Sequence, residues 1–151
     1  MEEMNSINRK GIDSYIKSEF GIGEVDIRTY SPLTLAYIGD GIFDLVIRSV
    51  VVGRGNTKAS QLHQKTSSIV KAKTQAEMIE ALESYLTEEE ADIYRRGRNA
   101  KSPTMAKNAT MGDYRKATGF EALMGYLYLQ DDFERILELT KRGVELLKIN
   151  L

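Results

Sequence analysis

Three acids in this chain stand where acids are expensive. Asp40 and Asp44 interrupt SPLTLAYIGDGIFDLVIR (residues 31–48), which is otherwise almost wholly apolar, and Glu121 is the one acid of GFEALMGYLYL. An ionised carboxylate among apolar neighbours is costly unless a cation or several donors meet it. Asp40 lies between Gly39 and Gly41. Two glycines in one helical turn cost about 1 kcal/mol each relative to alanine, so close approach of another backbone or of a ligand is the expected compensation. Glu121 has Ala117 one turn before it and Gly125 one turn after it, which lets a neighbouring helix come close. Two apolar helices, each with an acid among small residues, are expected to bring Asp40 and Glu121 face to face. Such a pair suits a hard divalent cation. Mg²⁺ takes oxygen ligands, keeps several waters, and commonly uses one or two protein carboxylates together with substrate phosphate. Beside a phosphodiester it would polarise a phosphoryl oxygen, activate a water for in-line attack and stabilise the leaving 3′-oxygen. Asp44 has Arg48 one turn on, so an i,i+4 ion pair is its expected fate, with at most an outer role at the site.

The elements that must position these acids are helical. Ser31 is a good N-cap and Pro32 suits the first helical position. The run that follows is apolar nearly all round, which predicts a central helix. A second apolar and aromatic helix is predicted over residues 113–130. A short amphipathic helix is predicted over residues 5–19, ended by Gly21 and Gly23. Thr57 is expected to cap a helix carrying Leu62, Ile69 and Val70. An acidic helical pair follows over residues 74–97, with Thr87 and Glu90 spaced for a capping box. Gly97 reads as a helix end and Pro103 as a stop. The last helix is expected to start at Asp131 or Asp132, with Glu134 closing a capping box. No alternating strand pattern bounded by turn residues is present, so the fold class predicted is all-α.

Hydrophobic residues make up 42% and charged residues 28% of the 151, a globular rather than a disordered balance. Cysteine is absent and histidine occurs once, which excludes disulfides, thiol nucleophiles and the usual zinc sites. No apolar run is long enough to cross a bilayer, and MEEMNSINRKG has no signal core. A cytoplasmic protein with no membrane partner is expected.

The net charge of −1 conceals a polarised chain. Residues 54–73 carry +5 and residues 95–116 carry +6, leaving −12 for the remainder. Two such blocks predict a phosphate-facing surface. The first presents Lys58, His63 and Lys65 on one helix; the second includes Lys107 and Arg115. RRGRNAKSP, from Arg95 to Pro103, reads as the start of a long loop. Its arginine forks match phosphate oxygens, and its Asn and Ser groups can reach ribose hydroxyls.

LAYIGDGIFDLVIR resembles the signature helix of ribonuclease III catalytic domains, and GFEALMGYLYL resembles the second metal-binding helix of that family. YRKATGFEALMGYLYL, with RRGRN upstream, looks like the bacterial Mini-ribonuclease III branch. The resemblance covers the chain from about Leu33 onward. It implies a ribonuclease III endonuclease-domain helical bundle, working as a homodimer whose signature helices meet across a two-fold axis. Residues 1–30 would be an N-terminal helix and connector, and residues 31–151 the catalytic domain, with no separate double-stranded RNA-binding domain expected. The activity implied is Mg²⁺-dependent hydrolysis of double-stranded RNA, with Mn²⁺ able to substitute, leaving 5′-phosphate and 3′-hydroxyl ends. The family's usual task is trimming 23S ribosomal RNA precursor. Asp40 and Glu121 would be the catalytic metal ligands. The family's RNA-gripping loop maps to Arg95, Arg96, Arg98, Asn99 and Lys101. Larger ribonuclease III enzymes carry further acids where this chain has Leu33, Ala36 and Thr118. That leaves two metal-binding carboxylates per subunit, with Thr118 at most an outer neighbour. The other reading is a non-catalytic module of the same fold that holds structured RNA without cutting it. Such a module has no need of the two acids.

Overall fold

The computed structural model describes residues 11–101 and 110–151. All regular structure among the described residues is helical: α1 (Ile12–Glu19), α2 (Pro32–Arg54), α3 (Ala59–Val70), α4 (Ala72–Leu82), α5 (Glu88–Asn99), α6 (Met111–Leu129) and α7 (Phe133–Leu146), with single 3-10 turns at Ile27–Thr29 and Glu83–Tyr85. The all-α class expected from the periodicity is the one observed.

The centre of the fold is α6. It is buried from Ala117 to Tyr128, and the single break in that burial is Glu121. The helices α2, α4, α5 and α7 all pack against it. Phe43 of α2 and Phe120 of α6 meet edge to face with ring centroids 5.0 Å apart, both fully buried. Aromatic pairs in this arrangement add about 0.5–1.5 kcal/mol beyond the area they bury.

Expectations about α2 need correction. It is central along one side, where Leu35, Ala36, Ile42, Phe43, Val46 and Ile47 are buried. Its other side is open: Tyr37 is 83% exposed, and Asp40, Gly41, Leu45, Arg48 and Val52 follow it at the surface. These recur every three or four residues, so they form one stripe. An apolar composition does not by itself distinguish a core face from an open one.

Local signals fared well where the partner is local. The Ser31 hydroxyl accepts from the Thr34 N–H at 3.2 Å, with Pro32 as the first helical residue. Thr87 and Glu90 form the capping box at the head of α5. Gly21, at φ +64°, follows α1. The head of α3 differs from expectation: Lys58 holds the N-cap position, while Thr57 Oγ1 donates to Gln61 Oε1 at 2.6 Å. At the head of α7, Asp132 caps by accepting from Arg135 N–H at 3.2 Å. The residue three on is then Arg135, so no box with Glu134 forms. Instead the Arg135 guanidinium donates to both Glu90 oxygens at 2.8 Å, tying the heads of α5 and α7 together.

The largest correction concerns residues 95–99. The basic stretch, expected to leave the helix at Gly97, stays helical as the last turn and a half of α5, which runs on to Asn99. Gly97 does not end the helix. A Cβ there would lie 2.8 Å from Ala122 Cβ and from Gly119 Cα, so its role is to let α5 lie against α6. The expected long loop falls largely on residues 102–109, outside the described residues.

Candidate functional site

Asp40 and Glu121 come from different helices, 81 positions apart in the chain, and their carboxyl groups meet within hydrogen-bonding reach. What brings them together is backbone contact between α2 and α6. A Cβ on Gly39 would fall 1.7 Å from the Glu121 carbonyl oxygen, and one on Gly125 would fall 1.9 Å from the Leu35 carbonyl oxygen. The small residues beside each acid therefore do what their spacing predicted. Gly41 does not: a Cβ there meets nothing within 4 Å.

Glu121 is partly buried at the edge of the core, and Asp40 is exposed. The Phe43–Phe120 contact adjoins the pair along both helices, three residues after Asp40 and one before Glu121. Burial, then the hydrogen bond to Asp40 and the Asp40 charge, push the Glu121 carboxyl up to about 9, against a smaller opposing pull from the Gln75 amide. Two carboxyl groups in contact cannot both ionise without a compensating cation. Gln75, on α4, is the neighbour that sequence reasoning passed over. Its Nε2 lies 3.4 Å from Glu121 Oε2 and donates to the Val70 carbonyl at 2.7 Å. A signal existed: Gln75 shares the apolar face of α4 with Ala76, Met78, Ile79 and Leu82, where an amide is out of place.

These residues fit a divalent cation of the Mg²⁺ kind. Two carboxylates are held against each other, one remains partly open to solvent, and a buried amide oxygen, Gln75 Oε1, has no partner. Among the described residues no group of three or more His, Cys, Asp or Glu gathers anywhere. An ion of that kind would have Asp40 and Glu121 as its carboxylates, with its remaining positions left to water and substrate.

The other expected residues are distributed as follows. Asp44 is paired with Arg48 at 2.6 Å, as its spacing predicted. Thr118 donates its hydroxyl to the Tyr114 carbonyl at 2.9 Å and stays engaged with its own helix. Arg95 is exposed and pairs with Asp92 at 3.3 Å, while the Arg98 guanidinium lies over the Tyr94 ring, 5.5 Å from its centroid. Arg96, Asn99, Lys101 and Arg115 are exposed. Because Gly97 touches Thr118, Gly119 and Ala122, the basic end of α5 runs beside the segment of α6 that carries Glu121. Cations at a helix C-terminus also offset its dipole, so part of this clustering serves α5 itself. On α3, Lys58 and His63 are exposed, and Lys65 is tied to the Asn150 carbonyl. Lys65 and Arg54 line a cavity of about 550 Å³ whose walls include neither Asp40 nor Glu121. Lys107 lies outside the described residues.

Comparison with known proteins places this geometry. The Ribonuclease III domain model matches residues 33–132, a span containing both acids and Gln75. A Mini-ribonuclease 3 of Clostridium tetani is 45% identical over 122 residues, 80% of this chain and 81% of that protein. A Mini-ribonuclease 3 of Enterococcus faecalis is 49% identical over 116 residues, 76% of this chain and 88% of that protein. A crystal structure of a Fusobacterium nucleatum protein superposes with a TM-score of 0.73 at 30% identity, over 81% of this chain and 94% of that one. With its fold, its paired acids and these relatives in agreement, the chain belongs to the ribonuclease III family, in the Mini-ribonuclease 3 branch, and is an endoribonuclease.

Proposed function

We propose that this chain is a Mg²⁺-dependent, homodimeric endonuclease of double-stranded RNA that matures the ends of 23S ribosomal RNA precursor, leaving 5′-phosphate and 3′-hydroxyl termini. Asp40 and Glu121 hold the metal, and Mn²⁺ can replace Mg²⁺. The observation that carries this reading is the convergence of those two carboxyl groups, with Asp40 exposed to solvent. Ribonuclease III enzymes generally depend on a divalent metal, and the two acids with Gln75 offer only oxygen ligands to one. When bound, the ion supplies Lewis-acid polarisation of the scissile phosphate and a water of lowered pKa. The chain's own residues do the rest. Glu121 and Asp40 would hold the cation between them, and Asp40, being exposed, would leave a phosphodiester a path to the pair.

Binding falls to the basic end of α5 (Arg95, Arg96, Arg98 and Asn99) and to Lys101 just beyond it, with Lys107, Arg115, Lys58 at the head of α3, and the α3 residues His63 and Lys65. Contacts of this kind read the shape of an A-form duplex rather than its sequence. A homodimer is supported by the open stripe on α2, where Tyr37, Leu45 and Val52 are exposed and apolar. A second copy on that stripe would set two acid pairs along one duplex.

The test is duplex RNA incubated with pure protein, with and without Mg²⁺, beside Asp40→Asn. Cleavage is expected only for wild type with Mg²⁺. The variant should lose more than about a hundredfold in rate, the upper range for losing even an outer partner of a metal ligand, while still binding RNA. Equal cutting by Asp40→Asn overturns the metal assignment. Binding without any cutting by wild type favours the non-catalytic module. Separately, Arg96→Ala with Arg98→Ala should weaken RNA binding and reduce the salt slope by about 1 per lost phosphate contact.

A further inference from the structure

Gln75 is only 2% exposed, yet one end of its amide is bare. Nε2 donates to the Val70 carbonyl at 2.7 Å and lies 3.4 Å from Glu121 Oε2, while Oε1 has no partner. The Val70 contact fixes which end is which, because exchanging the amide would set two carbonyl oxygens against each other. A buried acceptor left unmet costs about 1–3 kcal/mol, and such groups are few in native proteins. Leucine or methionine would fill this place among Ala76, Met78 and Ile79 without that cost. A staple between the end of α3 and the start of α4 explains the bond to Val70. It explains neither the approach to Glu121 nor the bare oxygen.

We propose that Gln75 is a positioning residue for the acid pair: its Nε2 ties the Glu121 carboxylate to the end of α3, and its Oε1 accepts from a water held by the bound divalent cation. This rests on the reading of Asp40 and Glu121 as a metal site. The Nε2 contact turns one Glu121 oxygen toward α4, which leaves the other to be shared with Asp40. The bare carbonyl needs a donor that no protein group supplies, and a cation that keeps most of its waters brings one.

The experiment measures Mn²⁺ affinity of the full chain by calorimetry, without RNA, for wild type, Gln75→Met and Gln75→Leu. Outer partners of metal ligands are worth about 10–100-fold in affinity, so binding should weaken about tenfold or more. Melting temperature in EDTA should be unchanged or raised. In cleavage assays the Mg²⁺ concentration for half-maximal rate should rise while the KM for RNA stays constant. Wild-type Mn²⁺ affinity in both variants overturns the proposal, as does a fall in EDTA stability with affinity intact, which would mark a staple alone. If the apolar variants fail to fold, Gln75→Glu keeps the shape and sets a third carboxylate beside the pair. It should bind Mn²⁺ more tightly than wild type, and unchanged affinity overturns the proposal. Failure of wild type itself to bind Mn²⁺ would instead remove the metal reading, and this inference with it.

Discussion

The helix α6 is approached at close range twice, by α2 and by α5, and both crossings are made through glycines. At the first, Gly39 and Gly125 set backbone against backbone, and a Cβ on either would fall only 1.7 or 1.9 Å from a carbonyl oxygen. At the second, Gly97 meets Gly119 and Ala122, and a Cβ on Gly119 would fall 2.6 Å from the Tyr94 ring and carbonyl. The device is the same and the outcome is not. The α2 crossing carries Asp40 and Glu121 at its edge, whereas the α5 crossing carries no acid and ends in a basic turn. The closeness of two helices is a scaffold property. It becomes chemistry only where the residues next to the glycines are charged and one flank is open to water.

The difference can be broken from either side. Gly39→Ala and Gly125→Ala should have the largest effect. Their clashes are with backbone, which side-chain rotation cannot relieve, so the cost should exceed about 3 kcal/mol. For a chain of this size that is a fall of about 6–12 °C in melting temperature. Mn²⁺ binding should be lost with it, since separating α2 from α6 separates the two acids. Gly97→Ala should cost less, about 1–3 kcal/mol from overpacking, partly offset by up to about 1 kcal/mol of helix propensity. Below its melting temperature this variant should bind Mn²⁺ as wild type does but grip duplex RNA less well, because the basic turn shifts while the acid pair does not. Calorimetry and filter binding on the same samples would separate the two. Equal loss of Mn²⁺ binding in both variants would dissolve the distinction.

A third effect belongs to the α2 crossing alone. The Glu121 carboxyl sits at about 9 in the folded protein, through burial first and the Asp40 contact second, and near 4.3 in an unfolded chain. Between those values the folded state holds a proton that the unfolded state has released, so stability falls as pH rises. The contribution is fully present below the unfolded value and is gone once pH passes the folded one. Melting temperature in EDTA should therefore decline across this window by more for wild type than for Glu121→Gln. Saturating Mn²⁺ should reverse the trend at neutral pH, since the cation favours the ionised pair. A wild-type curve parallel to that of Glu121→Gln would show that Glu121 is ionised in the free protein.

How much of this was legible in the sequence depended on where each residue's partner lies. The Ser31 cap, the Thr87–Glu90 box and the Asp44–Arg48 pair need only neighbours within four positions. The meeting of Asp40 with Glu121 was readable despite its span, because small residues beside an acid on an apolar helix announce a close neighbour. Gly97 carries the same kind of signal but reads as a terminator. Within its own segment, a glycine that stops a helix and a glycine that admits another helix look alike. Only Gly119, 22 positions on, separates the two readings. A stop at Gly97 would put Arg98 and Asn99 in a loop, whereas both belong to α5. Gln75 is not legible from its own segment, because its partners, Val70 and Glu121, lie on two other helices and a neutral amide carries no charge signal.

The smallest effect concerns the glycine that neither crossing uses. Gly41 is exposed, and a Cβ there would meet nothing within 4 Å. In an isolated subunit Gly41→Ala should stabilise α2 by up to about 1 kcal/mol, or about 2–4 °C. The residue sits on the open stripe with Tyr37, Leu45 and Val52, next to Asp40. If α2 packs on the α2 of a second copy, as proposed above, Gly41 would be a third close crossing, this time between subunits. The gain in helix stability would then be accompanied by weaker dimerisation. Sedimentation of wild type and Gly41→Ala over a dilution series reads the two effects apart. A variant that is more stable and equally dimeric would remove Gly41 from the interface, while one that is more stable and monomeric at the same concentration would extend the glycine-crossing rule from the fold to the assembly.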